Sequence, residues 1–152
     1  MIALVQRVTQ ASVEIDGRQH AMIGAGMLAL VCAEKGDTER EADLLADKTV
    51  DFRMFQDQQR RMNLSLIDAS LALLVVPQFT LAANTESGRR ASFTPAAAPD
   101  IARVLFERFV AMAAKRVAIV KVGVFAADMK VGLINDGPVT FWLRIPPAGA
   151  LA

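Results

Sequence analysis

From Ile2 to Ile15 the chain is rich in β-branched residues, and it breaks at Asp16-Gly17, a pair that favours a tight turn. A second run through Met22 and Ile23 then predicts the other arm of a hairpin. The adjoining "GAGMLALVCA" reads as a third, more buried strand. Its Gly24 and Gly26 imitate a phosphate loop only superficially, since no helix follows directly. Thr38 and Glu41 have the spacing of a capping box, and Ala42, Leu45, Ala46, Thr49 and Val50 recur at helical intervals behind them. Leu71 to Val76 predicts a buried strand. Pro99-Asp100 opens a second helix, with Ile101, Val104, Leu105, Phe109 and Met112 expected on its apolar face. Strand character returns at Ile119–Phe125 and Lys130–Ile134. In the last element Val139, Phe141, Leu143 and Ile145 alternate with Thr140, Trp142 and Arg144.

This order predicts an α+β protein. A mostly antiparallel sheet, curled toward a barrel, would pack with two main helices in one domain over residues 1–145, leaving 146–152 as a frayed tail. The 152 residues, 53% hydrophobic and 22% charged, suffice for a proper core. No apolar run reaches the ~20 residues of a membrane span, and the N-terminus does not read as a signal peptide. The single cysteine, Cys32, fits a reducing cytoplasm. A net charge of +1 disfavours strongly electrostatic nucleic-acid binding. The basic pairs Arg60–Arg61, Arg89–Arg90 and Lys115–Arg116 read as solvated surface, with Arg89–Arg90 the most interesting of them.

The usual catalytic kits are missing. His20 is the only histidine and lies in a polar turn region, so a histidine-based triad has no base. One His and one Cys make no zinc cluster, and no metal or cofactor is expected. Asp37 and Glu39 fall where helix capping explains them. Two segments stand out instead. In "VVPQFTL" a buried strand stops at Pro77 and delivers Gln78, Phe79 and Thr80 to its own end. In "NDGPVT", Asn135 to Thr140, turn-forming residues surround Gly137–Pro138; taken alone it reads as a hairpin connection, in which a cis bond is possible.

With "MIALVQRVTQASV", "VVPQFTLAANTESGRRASF" and "FAADMKVGLINDGPVTFWL" in this order, nearly the whole chain resembles the D-aminoacyl-tRNA deacylases. The resemblance implies a cytoplasmic homodimer with active sites at the subunit interface. The reaction it implies is hydrolysis of the ester between a D-amino acid, and often glycine, and the terminal adenosine of tRNA. It assigns the catalytic segment to Gln78, Phe79 and Thr80, with backbone N–H groups around Phe79 and Thr80 as the oxyanion site and the tRNA ribose hydroxyl assisting. Gly137–Pro138 would enter the partner's pocket as a cis pair and reject L-amino acids, and Arg7 would fix that loop. Phe125 and Met129 fall where the family holds the terminal adenine, although core packing explains them equally well. One position departs from the pattern. Pro77 replaces the family's usual serine and is similar to a related group that removes mischarged L-alanine, but that group lacks the aromatic at Phe79. The D-specific reading is therefore favoured. A non-catalytic RNA-end binding module and a generic esterase are the rival readings.

Overall fold

The computed structural model describes residues 1–86 and 88–149. Strand β1 (Ile2–Ile15) is the spine. It pairs antiparallel with β2 (Arg18–Ile23) through Ala11–Ile15 and with β3 (Gly26–Cys32) through Ile2–Val8. On its other edge it carries the whole length of β8 (Lys130–Arg144), also antiparallel. Beyond β3 the sheet continues parallel, through β6 (Ala72–Pro77) to β7 (Val120–Val122). The result is a nearly closed, barrel-like sheet in which antiparallel pairings predominate. A small hairpin, β4 (Phe55–Gln56) with β5 (Met62–Leu64), stands apart.

The parallel part follows from sequence. β6 reads "ALLVVP", and Ala72 to Val76 are all buried, as a strand covered on both faces demands. Glycine is required where β3 enters: a Cβ on Gly26 would run into the Ala72 carbonyl.

Helix α1 (Glu39–Val50) starts in the predicted capping box. Arg40 N–H donates to Thr38 Oγ1, and Thr38 N–H donates to Glu41 Oε2 at 2.8 Å. The Thr38 hydroxyl, foremost, holds the Glu41 carboxyl down to about 2 against the opposing effect of burial. Helix α2 (Pro99–Ala114) covers the same core beside α1. Its buried face differs from the predicted one. Ala102, Leu105, Phe106, Phe109 and Ala113 turn inward, whereas Ile101 and Val104 are exposed. The true stripe follows i, i+3, i+4, i+7, and small alanines on it let the helix approach the sheet closely. Arg108 binds Asp43 through two bonds of 2.6 and 2.7 Å. Arg116 reaches Asp51 and Asp47, so the second half of the Lys115–Arg116 pair ties the helices together instead of facing water alone.

Asp37 also does something other than capping. It accepts from the buried Met1 ammonium at 2.8 Å and from Glu34 N–H at 2.6 Å, while Arg144 clamps Glu34. The amino-terminal residue is thereby fixed beside the end of β8. Of the predicted tail, Pro146 to Gly149 carry no helix or strand, and 150–152 lie outside the described residues. Among the described residues, no helix is long and apolar enough to cross a membrane.

Candidate active site

β6 ends where its sequence predicts, and its last ladder contact sets the path of the residues beyond it. Pro77 sits opposite Val31 in the parallel register, and Gln78 N–H donates to the Val31 carbonyl at 2.8 Å. The chain then leaves the sheet in one turn of 3-10 helix, Phe79–Ala82. A helical start leaves its first N–H groups without intrahelical partners. Here Leu81 N–H returns to Gln78 O and Ala83 N–H to Thr80 O, but Phe79 and Thr80 N–H have no acceptor among the described residues. Two adjacent amide donors are thus free at the end of a rigid strand.

Gln78 and Phe79 line a cavity of about 550 Å³. Its wall is mainly apolar and includes Val31, Pro77, Phe106, Phe125 and Met129. Thr80, exposed just beyond, accepts a hydrogen bond from Gln78 Nε2 at 2.6 Å. The Thr80 hydroxyl proton therefore remains available, and among the described residues that hydroxyl makes no hydrogen bond to a carboxylate or an imidazole. His20 is exposed on β2. Cys32 is buried behind the mouth, where burial pushes its thiol up to about 11.

Phe125 and Met129 sit between the core and the cavity. They pack against the core from behind and face the cavity in front. Met129 is held in place because its sulfur accepts from Val124 N–H at 3.4 Å. Gly123 makes room for it, since a Cβ there would come within 2.9 Å of that sulfur.

The second segment is not a hairpin connection. Residues on both sides of it continue along the same strand, β1: Val8 faces Asn135, and Gln6 faces Thr140. Residues 136–139 therefore bulge out of β8 opposite Arg7 alone. Arg7 is nearly buried and donates from Nε to the Asp136 carbonyl at 2.9 Å, and from Nη1 to the Met54 carbonyl at 2.9 Å. Asn135 closes the stem. Its Oδ1 accepts from Val139 N–H at 2.7 Å, and its Nδ2 donates to Thr140 Oγ1 at 3.0 Å. The Gly137–Pro138 bond is cis, and a Cβ on Gly137 would lie 2.7 Å from Val139 N, so only glycine fits. Gly137 and Pro138 are exposed and are not in the wall of the cavity that Gln78 and Phe79 line.

Of the residues singled out in the sequence, Gln78, Phe79, Phe125 and Met129 line one cavity, Thr80 lies just beyond it, Arg7 reaches the protrusion, and Gly137 and Pro138 stand apart from that cavity. Sequence reasoning missed two supports. Phe93 packs edge-on against Phe79, with centroids 5.0 Å apart, and Asn135 acts as a side-chain clamp and not merely as a turn former. An Asn placed four residues before the amide it caps was the available signal for the latter.

Fold and site together define a barrel-like α+β protein with a pair of unengaged main-chain donors next to a mainly apolar cavity. Residues 4–144 match the D-Tyr-tRNA(Tyr) deacylase family, and the chain belongs to that family of hydrolases. The D-aminoacyl-tRNA deacylase of Janthinobacterium sp. (strain Marseille) is 58% identical, over 97% of this chain and 99% of that one. The enzyme of the same name from Ralstonia nicotianae (strain ATCC BAA-1114 / GMI1000) is 57% identical, over 100% and 95%. Among solved structures, the c-Myc DNA Unwinding Element Binding Protein superposes with a TM-score of 0.92 at 35% identity, over 96% of this chain and 99% of that one. A probable eukaryotic D-amino acid tRNA deacylase shares the fold, with a TM-score of 0.81 at 16% identity, over 95% and 98%.

Proposed function

We propose that this chain is an editing hydrolase that cleaves the ester joining a D-amino acid, or glycine, to the terminal adenosine of tRNA. The observation that carries this reading is the pair of unengaged N–H groups at Phe79 and Thr80, beside a cavity that also contains Phe125 and Met129. The ester carbonyl accepts from those two donors. Water attacks its carbon, the developing oxyanion is held by the same donors, and the bond to the ribose oxygen breaks. Preorganised donors of this kind each contribute roughly 3–4 kcal/mol to the transition state. Gln78 fixes Thr80, whose hydroxyl serves as a polar contact and not as a nucleophile, since nothing beside it can take its proton. The substrate's own ribose hydroxyl assists the attack. Adenine stacks on Phe125 with Met129 beside it.

The protrusion completes the site of a second subunit in a homodimer. Among the described residues β8 pairs only with β1, and its outward surface exposes Leu133, Ile134 and Trp142. A free strand edge with apolar side chains supports burial against another copy. Gly137 and Pro138 project from that strand and present main-chain atoms to the amino acid's chiral centre. Rigid main-chain atoms select by exclusion, which suits an enzyme that accepts many D side chains. A cytoplasmic setting accords with this substrate.

Pro77 supports one further reading within the family. It lines the cavity, so the exchange for serine lies in the wall of the site itself, and removal of L-alanine from mischarged tRNA is the alternative activity. Release of labelled amino acid from matched D-, L- and glycyl-tRNA tests both. D- and glycyl-tRNA are expected to be cleaved and L-aminoacyl-tRNA spared. Cleavage of L-alanyl-tRNA in preference to its D counterpart would transfer the assignment to the alternative. Tight RNA-end binding without any cleavage would reduce the protein to a binding module.

A further inference from the structure

We propose that Arg103 binds the phosphate on the 5′ side of the tRNA's terminal adenosine; the inference rests on reading Phe125 and Met129 as the end of the cavity that holds the base. Arg103 lies on α2, the helix that gives Pro99, Ala102 and Phe106 to the cavity wall. Its guanidinium carbon sits 4.8 Å from the centroid of the Phe125 ring. Helical spacing offers it Asp100 three residues before and Glu107 four residues after, yet among the described residues it pairs with neither. Arg108 and Arg116, farther along, are bound to Asp43 and Asp47 of α1.

A guanidinium lying against a ring is oriented without being neutralised, and its N–H groups stay free at its edges. Among the described residues, the charged side chain in the cavity wall itself, Asp128, is matched by Lys130 at 3.1 Å. Arg103 therefore leaves an unneutralised positive charge next to Phe125, the lining aromatic read as taking the base. A nucleotide whose base enters the cavity keeps its 5′ phosphate outside, one ribose away, where this fork meets it. Arginine is suited to such a contact because two of its N–H groups match two phosphate oxygens.

The test compares three substrates of the full-length protein: 3′-O-(D-aminoacyl)adenosine, its 5′-monophosphate and the D-aminoacyl-tRNA. Arg103→Ala is expected to lower kcat/KM about tenfold for the two that carry the phosphate, and to leave the nucleoside ester unchanged. Arg103→Lys should restore most of the loss. For the tRNA, the slope of log KM against log salt should flatten by ~0.7 in Arg103→Ala, the contribution of one single-strand phosphate. Equal loss on all three substrates would mean that Arg103 merely props up Phe125, and no loss on any would remove it from the site; either result overturns the proposal. Phe125→Ala should slow all three substrates alike. If it slows none, the base-holding reading falls and takes the phosphate contact with it.

Discussion

The mouth of β6 and the protrusion of β8 both present main chain, but they are built in opposite ways. At Phe79 and Thr80 the amides are free because the ladder stops: Gln78 makes the last bond to Val31, and the next two N–H groups have nothing to meet. At Gly137 and Pro138 the ladder is interrupted and then resumes, so the displaced residues have lost their strand partners. Side chains replace them, with Arg7 on the Asp136 carbonyl and Asn135 on the Val139 amide. One region works by leaving donors unsatisfied at a rigid end, and the other by clamping the base of a bulge. The first therefore tolerates side-chain changes but not loss of an N–H. The second should be sensitive to side chains that never touch the substrate.

The strongest way to break this contrast is to remove a donor from the mouth. Gln78 has φ −145° and ψ 80°, outside the helical region, so a proline can come after it. Phe79 opens the turn with an unpaired N–H, a position where proline costs little. Phe79→Pro deletes both donor and ring, whereas Phe79→Ala deletes only the ring. We expect Phe79→Pro to be slower than Phe79→Ala by about 10²–10³-fold in kcat, the usual cost of one oxyanion donor. Circular dichroism and unfolding midpoints check that both are folded. If the two variants hydrolyse D-aminoacyl-tRNA equally, the free amides are not the oxyanion site.

The protrusion calls for a smaller and different effect. Arg7→Met removes the fork and leaves the buried Met54 carbonyl unpartnered, which costs about 1–3 kcal/mol of stability. Asn135→Ala opens the stem from the other side. Both should lower the ratio of D- to L-aminoacyl-tRNA cleavage by about tenfold, while the D rate changes by only a few-fold. A parallel fall of both rates would make the protrusion an ordinary structural bulge. Mixing subunits sharpens this further. A large excess of Phe79→Pro subunits, inactive but with an intact protrusion, should restore discrimination to Asn135→Ala subunits if each protrusion serves its partner's cavity. An unchanged ratio would mean that each subunit filters for itself.

Much of this was legible in the chain because the signals were local. The capping box at Thr38 and Glu41, the alternation from Val139 to Ile145 and the stop at Pro77 each depend on residues within one turn or one strand. The features that were not legible depended on distant partners. Turn chemistry in Asn135–Gly137 is the same for a hairpin and for a bulge, and only the register against Val8 and Gln6 separates them. The face of α2 was misread for a similar reason. Ile101 and Val104 look like core by composition, but the sheet below accepts Ala102 and Phe106 instead. The parallel pairing of β3 with β6 likewise depends on a crossover that no single segment announces.

The smallest expected effect concerns the side chain closest behind the mouth. Cys32 is 2% exposed, and its sulfur lies 3.4 Å from the Phe79 carbonyl. Burial raises its thiol from 9.0 to about 11, with a backbone hydrogen bond from Ala82 opposing the shift only in part. At neutral pH the group is therefore a neutral thiol that supports the turn, and Cys32→Ala should reduce kcat/KM by no more than about threefold. The raised value also fixes a sign. Unfolded thiols ionise first, so the stabilisation from keeping Cys32 neutral is complete below pH 9.0 and is lost as pH rises toward about 11. Urea unfolding across that window should show a decline in the parent that Cys32→Ala lacks. The rate profile, in contrast, should be the same for both proteins between about pH 6 and pH 9 if the mouth acts, as proposed, through amides that do not titrate. An inflection near pH 8–9 that disappears in Cys32→Ala would mean that a thiolate takes part in the chemistry, and the mouth could no longer be described as a main-chain site.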